Sequence, residues 1–321
     1  MTLSRRLAMS LPILATPALG LAQTAAYPSR PIRMIVPFAA GGAADSATRA
    51  ISPRMSERLG QPIVVENRTG ASGSLGGGEV ARSQPDGLTL LMDASSHVVN
   101  PALMRGLTFD YATAFAPVSL VVTFPQVLAV KADLPVRTLA EFIALARTRP
   151  LNIGTQGNAT AGHLGLIQFS QAAGIEMTHV PYRGGADAAR DLAAGTLDGA
   201  FITMLSAGPI VDSGRARFIA VSAPQRVPLR PDIPTFAELG TPGIEISEWA
   251  ALFAPAGTPE AILATLHTAL RETLAEAPVQ ARLAQLAAVP VGSTPADFAG
   301  FVRDGRATMA ELVRSANIRL D

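Results

Sequence analysis

Ile32-Arg33-Met34-Ile35-Val36-Pro37-Phe38-Ala39-Ala40-Gly41-Gly42-Ala43-Ala44-Asp45 is the stretch that decides the fold of this chain. Its apolar run, Ile32 to Val36, reads as a buried strand. The glycines then turn the chain, and Asp45 opens a helix that runs to Leu59. A glycine-rich turn between strand and helix leaves backbone N–H groups at a helix start, where the dipole favours negative charge. The device recurs much later in the chain. Leu151 to Ile153 leads into Gly154-Thr155-Gln156-Gly157-Asn158-Ala159-Thr160-Ala161-Gly162-His163. Two such loops point to two α/β lobes that grip one anion between them.

Outward from the first loop, Pro53 is expected to bend or interrupt its helix. Ile63 to Glu66 reads as a second strand, Gly70 to Gly76 as another glycine-rich turn opening a helix through Arg82, and Leu88 to Met92 as a third strand. This alternation predicts a doubly wound, mostly parallel sheet, in which ligands sit beyond the carboxyl ends of the strands. Phe38 to Asp45, Ser72 and Ser95 to His97 all fall at such ends.

A second unit spans Val127 to Ile246. Val127 to Val130 is apolar; strands are expected at Thr178 to Pro181, Gly199 to Met204 and Ala216 to Ser222, and helices at Thr138 to Arg147 and Ala186 to Ala194. Thr138 with Glu141 makes a capping box. From Trp249 onward a strand (Ala250 to Ala254) and three helices (Pro259 to Ala275, Ala277 to Ala287, Pro295 to Ser315) complete the first lobe. Residues 27–125 and 248–321 thus form lobe 1 and residues 126–247 lobe 2, with a hinge at Thr123–Gln126 and Ser247–Trp249.

Composition narrows the function. With 48% hydrophobic and 16% charged residues in 321, the chain is no disordered polymer. Aromatic residues make up only 5%, which argues against a stacked sugar or single-stranded nucleic-acid site. The net charge is +1 and Lys131 is the only lysine, so neither a nucleic-acid stripe nor a Walker A loop can be built. There is no cysteine, which removes disulfides, thiol catalysis and lipid anchoring. Residues 1–22 read as a signal peptide: Arg5-Arg6, an apolar stretch broken by Pro12 and Pro17, then Gly20-Leu21-Ala22. Export by the Sec or the twin-arginine route fits this segment.

The donors at the strand ends are small hydroxyls, amides and backbone N–H groups. Such neutral donors suit a carboxylate that must be released again. Thr203 ends an apolar strand and is expected to face the cleft. Ser95, Ser96 and His97 raise the thought of a hydrolase, but Gly70-Ala71-Ser72-Gly73-Ser74 fails the nucleophile-elbow pattern at its last position. The histidines, at 97, 163, 179 and 267, show no metal-binding spacing. Asp187 and Asp198 read as solvated charges.

With these residues assembled, the chain resembles the periplasmic solute-binding proteins of tripartite tricarboxylate transporters, the Bug family. The resemblance rests on Tyr27-Pro-Ser-Arg-Pro-Ile, Pro37-Phe38 with Gly41-Gly42 and Asp45, Val65-Glu-Asn-Arg-x-Gly-Ala, and Pro85-Asp-Gly. It continues through Asn100-Pro, Phe115-Ala-Pro-Val, Gly162-His-Leu, His179-Val-Pro-Tyr-Arg-Gly-Gly, Ala254-Pro-Ala-Gly-Thr-Pro and Val291-Gly-Ser-Thr-Pro. It implies a two-lobe type II periplasmic-binding-protein fold, each lobe a doubly wound mostly parallel sheet, with the ligand cleft between the lobes. It also implies a monomer that needs no cofactor or catalysis, captures a small mono- or dicarboxylate and passes it to membrane transporter subunits. The alternative reading is a periplasmic sensor presenting a carboxylate to a signalling receptor. Carried onto this sequence, the first clamp is Phe38, Ala39, Ala40, Gly41, Gly42 and Asp45. The second is Gln156, Gly157, Asn158 and Thr160, with Ser72, Ser95, Ser96 and Thr203 as neighbours. Two departures stand out. Ala39-Ala40 replaces a proline-containing pair, and Thr203 stands where the family often has Asp, which favours a carboxylate without an amine.

Overall fold

The computed structural model describes residues 27–158 and 160–315, and the expected signal peptide lies outside them. Strand β1 (Ile32–Val36) leads into α1 (Ala43–Leu59), β2 (Ile63–Asn67), a 3-10 turn (Ala71–Gly73), α2 (Ser74–Ala81), β3 (Thr89–Asp93) and α3 (Ser96–Leu103). The long β4 (Phe115–Lys131) follows, then α4 (Leu139–Ala146), β5 (Leu151–Thr155), α5 (Ala161–Ala173), β6 (Met177–Pro181), α6 (Gly185–Ala193), β7 (Gly199–Thr203), α7 (Met204–Asp212) and β8 (Ala216–Ser222). The chain returns through β9 (Ser247–Pro255) and ends with α8 (Glu260–Leu274), α9 (Ala277–Gln285), β10 (Val289–Pro290) and α10 (Pro295–Ser315).

One sheet runs through both lobes in the order β2-β1-β3-β9-β4-β7-β5-β6. In lobe 1, β1 pairs in parallel with β2 and β3, while β9 lies antiparallel between β3 and β4. In lobe 2, β6, β5 and β7 are parallel, and β7 and β8 flank the second half of β4 antiparallel. Helices cover both faces, so strands such as β1 are buried on both sides. Met34 and Leu252 pack in one core beside α1 and α8, while Ile35 and Phe253 pack in the opposite core beside α3 and α10. Lobe 2 repeats the arrangement with Ile202 on one face and Phe201 on the other.

The two expected crossings are not loops. Pro125 of β4 pairs with Ser247 of β9, and the next residue, Gln126, pairs with Thr203 and Ser222. Strand β4 therefore changes partners between adjacent residues without a break. Pro117 and Pro125 hid this strand from the sequence, since proline removes a ladder donor. The ladder absorbs the first of them with a register irregularity between Pro117 and Ser119. Helix α1 likewise continues past Pro53 instead of breaking. Pro53 is on the exposed side, where water can satisfy the carbonyl that loses its N–H partner. Helices α3 and α7 were not foreseen. Asp198 is not a solvated charge either: it is buried, and the Arg149 guanidinium donates two 3.0 Å bonds to its carboxylate.

Candidate functional site

The first glycine loop is closed by its own backbone. Gly41, at φ 80°, takes the left-handed conformation that glycine permits. The Gly42 N–H bonds back to the Ala39 carbonyl at 3.1 Å, closing the turn. Gly42 then precedes α1 without a side-chain cap, so the first-turn N–H groups are left for another acceptor. Ala39, Ala40 and Gly41 are exposed, whereas the half-buried Phe38 packs against the lobe-1 core.

Asp45 sits beneath this loop at 1% exposure. It accepts from the Gly41 N–H at 2.8 Å, Arg49 Nε at 3.0 Å and Asn67 Nδ2 at 2.9 Å. Burial pushes its carboxyl up, but the bonds from Arg49, Gly41 and Asn67 outweigh that and hold it below the ordinary value. The carboxylate thus braces the loop from below.

A chain of contacts leads from this loop to lobe 2. Pro37 packs where a side chain on Gly73 or Gly76 would stand. Ser72, exposed and at φ 50°, offers its carbonyl to Asn100 Nδ2 at 2.9 Å. At the end of β3, Ser96 Oγ donates to Asp93 Oδ1 at 2.9 Å, while His97 Nδ1 lies 3.0 Å from Asp93 Oδ2. His97 is buried and stacked on Phe253 with ring centroids 3.9 Å apart. Ser96 is bonded to the aspartate and not to the imidazole, so the three do not form a nucleophile–base pair.

Ser95 Oγ donates to Glu248, a residue of β9 that the sequence reading did not include. The other Glu248 oxygen accepts from the Ala161 N–H at 3.1 Å, with Gln156 Nε2 at 3.5 Å. Ala161 is the first residue of α5, so Glu248 places a carboxylate at the start of the second expected clamp. Gln156 Nε2 also donates to Gln126 Oε1 at 3.1 Å. Gln126 pairs with Thr203, whose hydroxyl caps α7 by accepting from the Ser206 N–H at 3.3 Å. Thr160 Oγ1 caps α5 and donates to the Gly157 carbonyl at 2.8 Å; Asn158 is exposed. Ser95, Gln156 and Thr203 are thus linked through contacts in which Glu248 and Gln126 take part. The only sequence signal for Glu248 is a charge at the head of the buried run Trp249 to Pro255.

Behind Ser95 and Ala161 lies a cavity of about 790 Å³, lined largely by apolar side chains such as Val98, Leu164, Trp249, Phe301 and Met309. Elsewhere in lobe 2, His163 and His179 stack at 3.9 Å, and Thr155 Oγ1 lies 2.7 Å from His179 Nε2. Burial, and then the neighbouring His163, push the His179 pKa down to about 4; burial also lowers that of His163. Among the described residues no group of three or more metal-ligating side chains occurs.

Comparison with known proteins decides the family. The model of the tripartite tricarboxylate transporter family receptor matches residues 47–318. The chain belongs to this receptor family. Among solved structures, the periplasmic binding protein BugD is 32% identical, with a TM-score of 0.75 over 91% of this chain and 99% of that one. Rpa4515 of R. palustris, solved with adipate, is 34% identical, with a TM-score of 0.79 over 91% of this chain and 99% of its own. MatC of Rhodopseudomonas palustris, with bound malate, is 32% identical, with a TM-score of 0.73 over 89% and 100%. The chain has the two-lobe periplasmic-binding-protein fold of these relatives. As a receptor-family member it is a solute-binding protein and not an enzyme.

Proposed function

We infer that this receptor-family protein captures a small organic carboxylate in the periplasm and delivers it to the membrane subunits of a tripartite tricarboxylate-type transporter. Residues 1–22 direct export, and the mature chain works as a monomer. Lobe 1 (27–125 and 248–321) and lobe 2 (126–247) close about β4 and β9. A ligand that contacts both lobes favours the closed form by its differential contacts. The observation that carries the reading is the start of α1: an exposed glycine loop, braced by Asp45 and Asn67, precedes a helix whose first N–H groups have no side-chain cap. That is a preformed oxyanion site. The adipate and malate held by two relatives support the same ligand class. In this reading Ala39 to Gly42 touch the ligand and Asp45 supports them.

Thermal unfolding against a panel of organic acids, sugars and cations tests it. A cognate carboxylate at a hundred times its Kd adds about 2.7 kcal/mol of stability. If no acid raises the unfolding temperature while sugars or cations do, the reading fails.

A further inference from the structure

Where β9 meets the start of α5, the protein already holds a carboxylate. Glu248 is held at both oxygens, by Ser95 Oγ on one side and by the Ala161 N–H on the other. Ser95 follows β3 and Ala161 is the first residue of α5, so the group lies where the two lobes meet. It also sits at the positive end of the 13-residue α5. Among the described residues its hydrogen-bond partners, Ser95, Gln156 and Ala161, are all neutral, so none of them offsets a negative charge here. An ionised carboxylate has about four lone-pair positions, so acceptor capacity remains.

We propose that Glu248 selects the ligand class of the cleft: a monocarboxylate carrying a hydrogen-bond donor, a hydroxyl or an ammonium, at its far end. This rests on the carboxylate reading above and narrows it. The ligand carboxylate docks at the first loop, and its donor group meets Glu248. A dicarboxylate of the same length brings a second negative charge against Glu248, at a position whose leading N–H is already engaged. Like charges placed together at a desolvated contact are strongly disfavoured. Displacing Glu248 instead would take its charge away from the Ser95 hydroxyl, the Ala161 N–H and the helix dipole together. Thr203 lacks a charge, yet the cleft still has an acidic partner for an amine.

Calorimetric titration with length-matched acids tests the assignment: succinate against 4-hydroxybutyrate and 4-aminobutyrate, and adipate against 6-hydroxyhexanoate. In the unaltered protein the donor-bearing acids bind about a hundredfold tighter than the diacids. In Glu248→Gln that preference falls to tenfold or less, because the amide removes the charge and adds a donor. Diacids that bind the unaltered protein as tightly as the hydroxy acids overturn the assignment and leave the carboxylate reading standing. So does a Glu248→Gln protein that strengthens every acid equally, which marks Glu248 as a plain competitor. Absence of binding by any acid overturns both. Should the variant not fold, the preference of the unaltered protein decides.

Discussion

The Asn67 side-chain amide lies 2.9 Å from Asp45 Oδ1, joining the end of β2 to the first turn of α1 beneath the glycine loop. The same nitrogen donates to the Phe38 carbonyl at 3.0 Å, so one amide fixes both sides of the loop. Loop shape therefore depends on a buried polar cluster and survives without the proline usual at Ala39-Ala40.

Asp45→Ala leaves the Gly41 N–H without its acceptor and the Asn67 amide with only the Phe38 carbonyl, at a cost of about 1–3 kcal/mol. Carboxylate affinity should fall with it. The carboxyl pKa is held below its ordinary 3.8, so its contribution is present above that value and is lost as pH falls through the folded pKa. Urea unfolding of Asp45→Asn should show a weaker dependence on pH below about 4 than the unaltered protein.

The stacked His163 and His179 make a second pH signature. Unfolded, His179 protonates near 6.5; folded, it resists until about 4. Below about pH 6.5 the unfolded chain binds protons that the folded one does not, so stability falls as pH drops toward 4. His179→Gln should flatten denaturation midpoints between these limits. A midpoint series indistinguishable from the unaltered protein would refute the assignment.

The Asp198 carboxylate is held down first by Arg149, then by the Asn152 N–H, and Lys131 lies 3.6 Å away. Asp198→Asn should cost lobe 2 about 2 kcal/mol, read as a lower unfolding temperature at pH 7. The difference should shrink as pH falls below 3.8 through the lowered folded pKa, because the native carboxylate is then itself protonated.

Gly162, in the first turn of α5, lies so close to β7 that a Cβ there would stand 2.4 Å from the Phe201 carbonyl and 2.7 Å from Gln156 Oε1. Gly162→Ala should cost about 1–3 kcal/mol and shift Gln156 and the Ala161 N–H off Glu248. Gly208, inside α7 with open space where its Cβ would be, is the control. Gly208→Ala should be stabilising by about 0.5–1 kcal/mol.

Much of the fold was legible because glycine and apolar runs alternate at strand–loop–helix spacing. The strands starting at Ile32, Leu151 and Gly199 were read at the right places, though the second runs two residues further, into the expected loop. Strand β4 was not, since two prolines broke the pattern that a strand is recognised by. Helix α3 was hidden by the polar stretch Asp93 to His97, whose residues bond to one another at its start. The turn before α1 was legible from glycine placement, but the contacts of Glu248 were not. Its partners, Ser95 and Ala161, stand 153 and 87 residues away in sequence, and no local period announces such a meeting.

Strand β9 sits between β3 and β4, with Leu91 registered against Phe253. During biogenesis the N-terminal sheet therefore keeps an open edge at β3 until most of the polypeptide has been released. Pairings this distant in sequence form slowly, and an open edge invites association with other chains. A chain truncated before Ser247 would lose more than its tail. It would leave β3 without its neighbour, and the sheet stays unfinished from the making of β3 until β9 has been made.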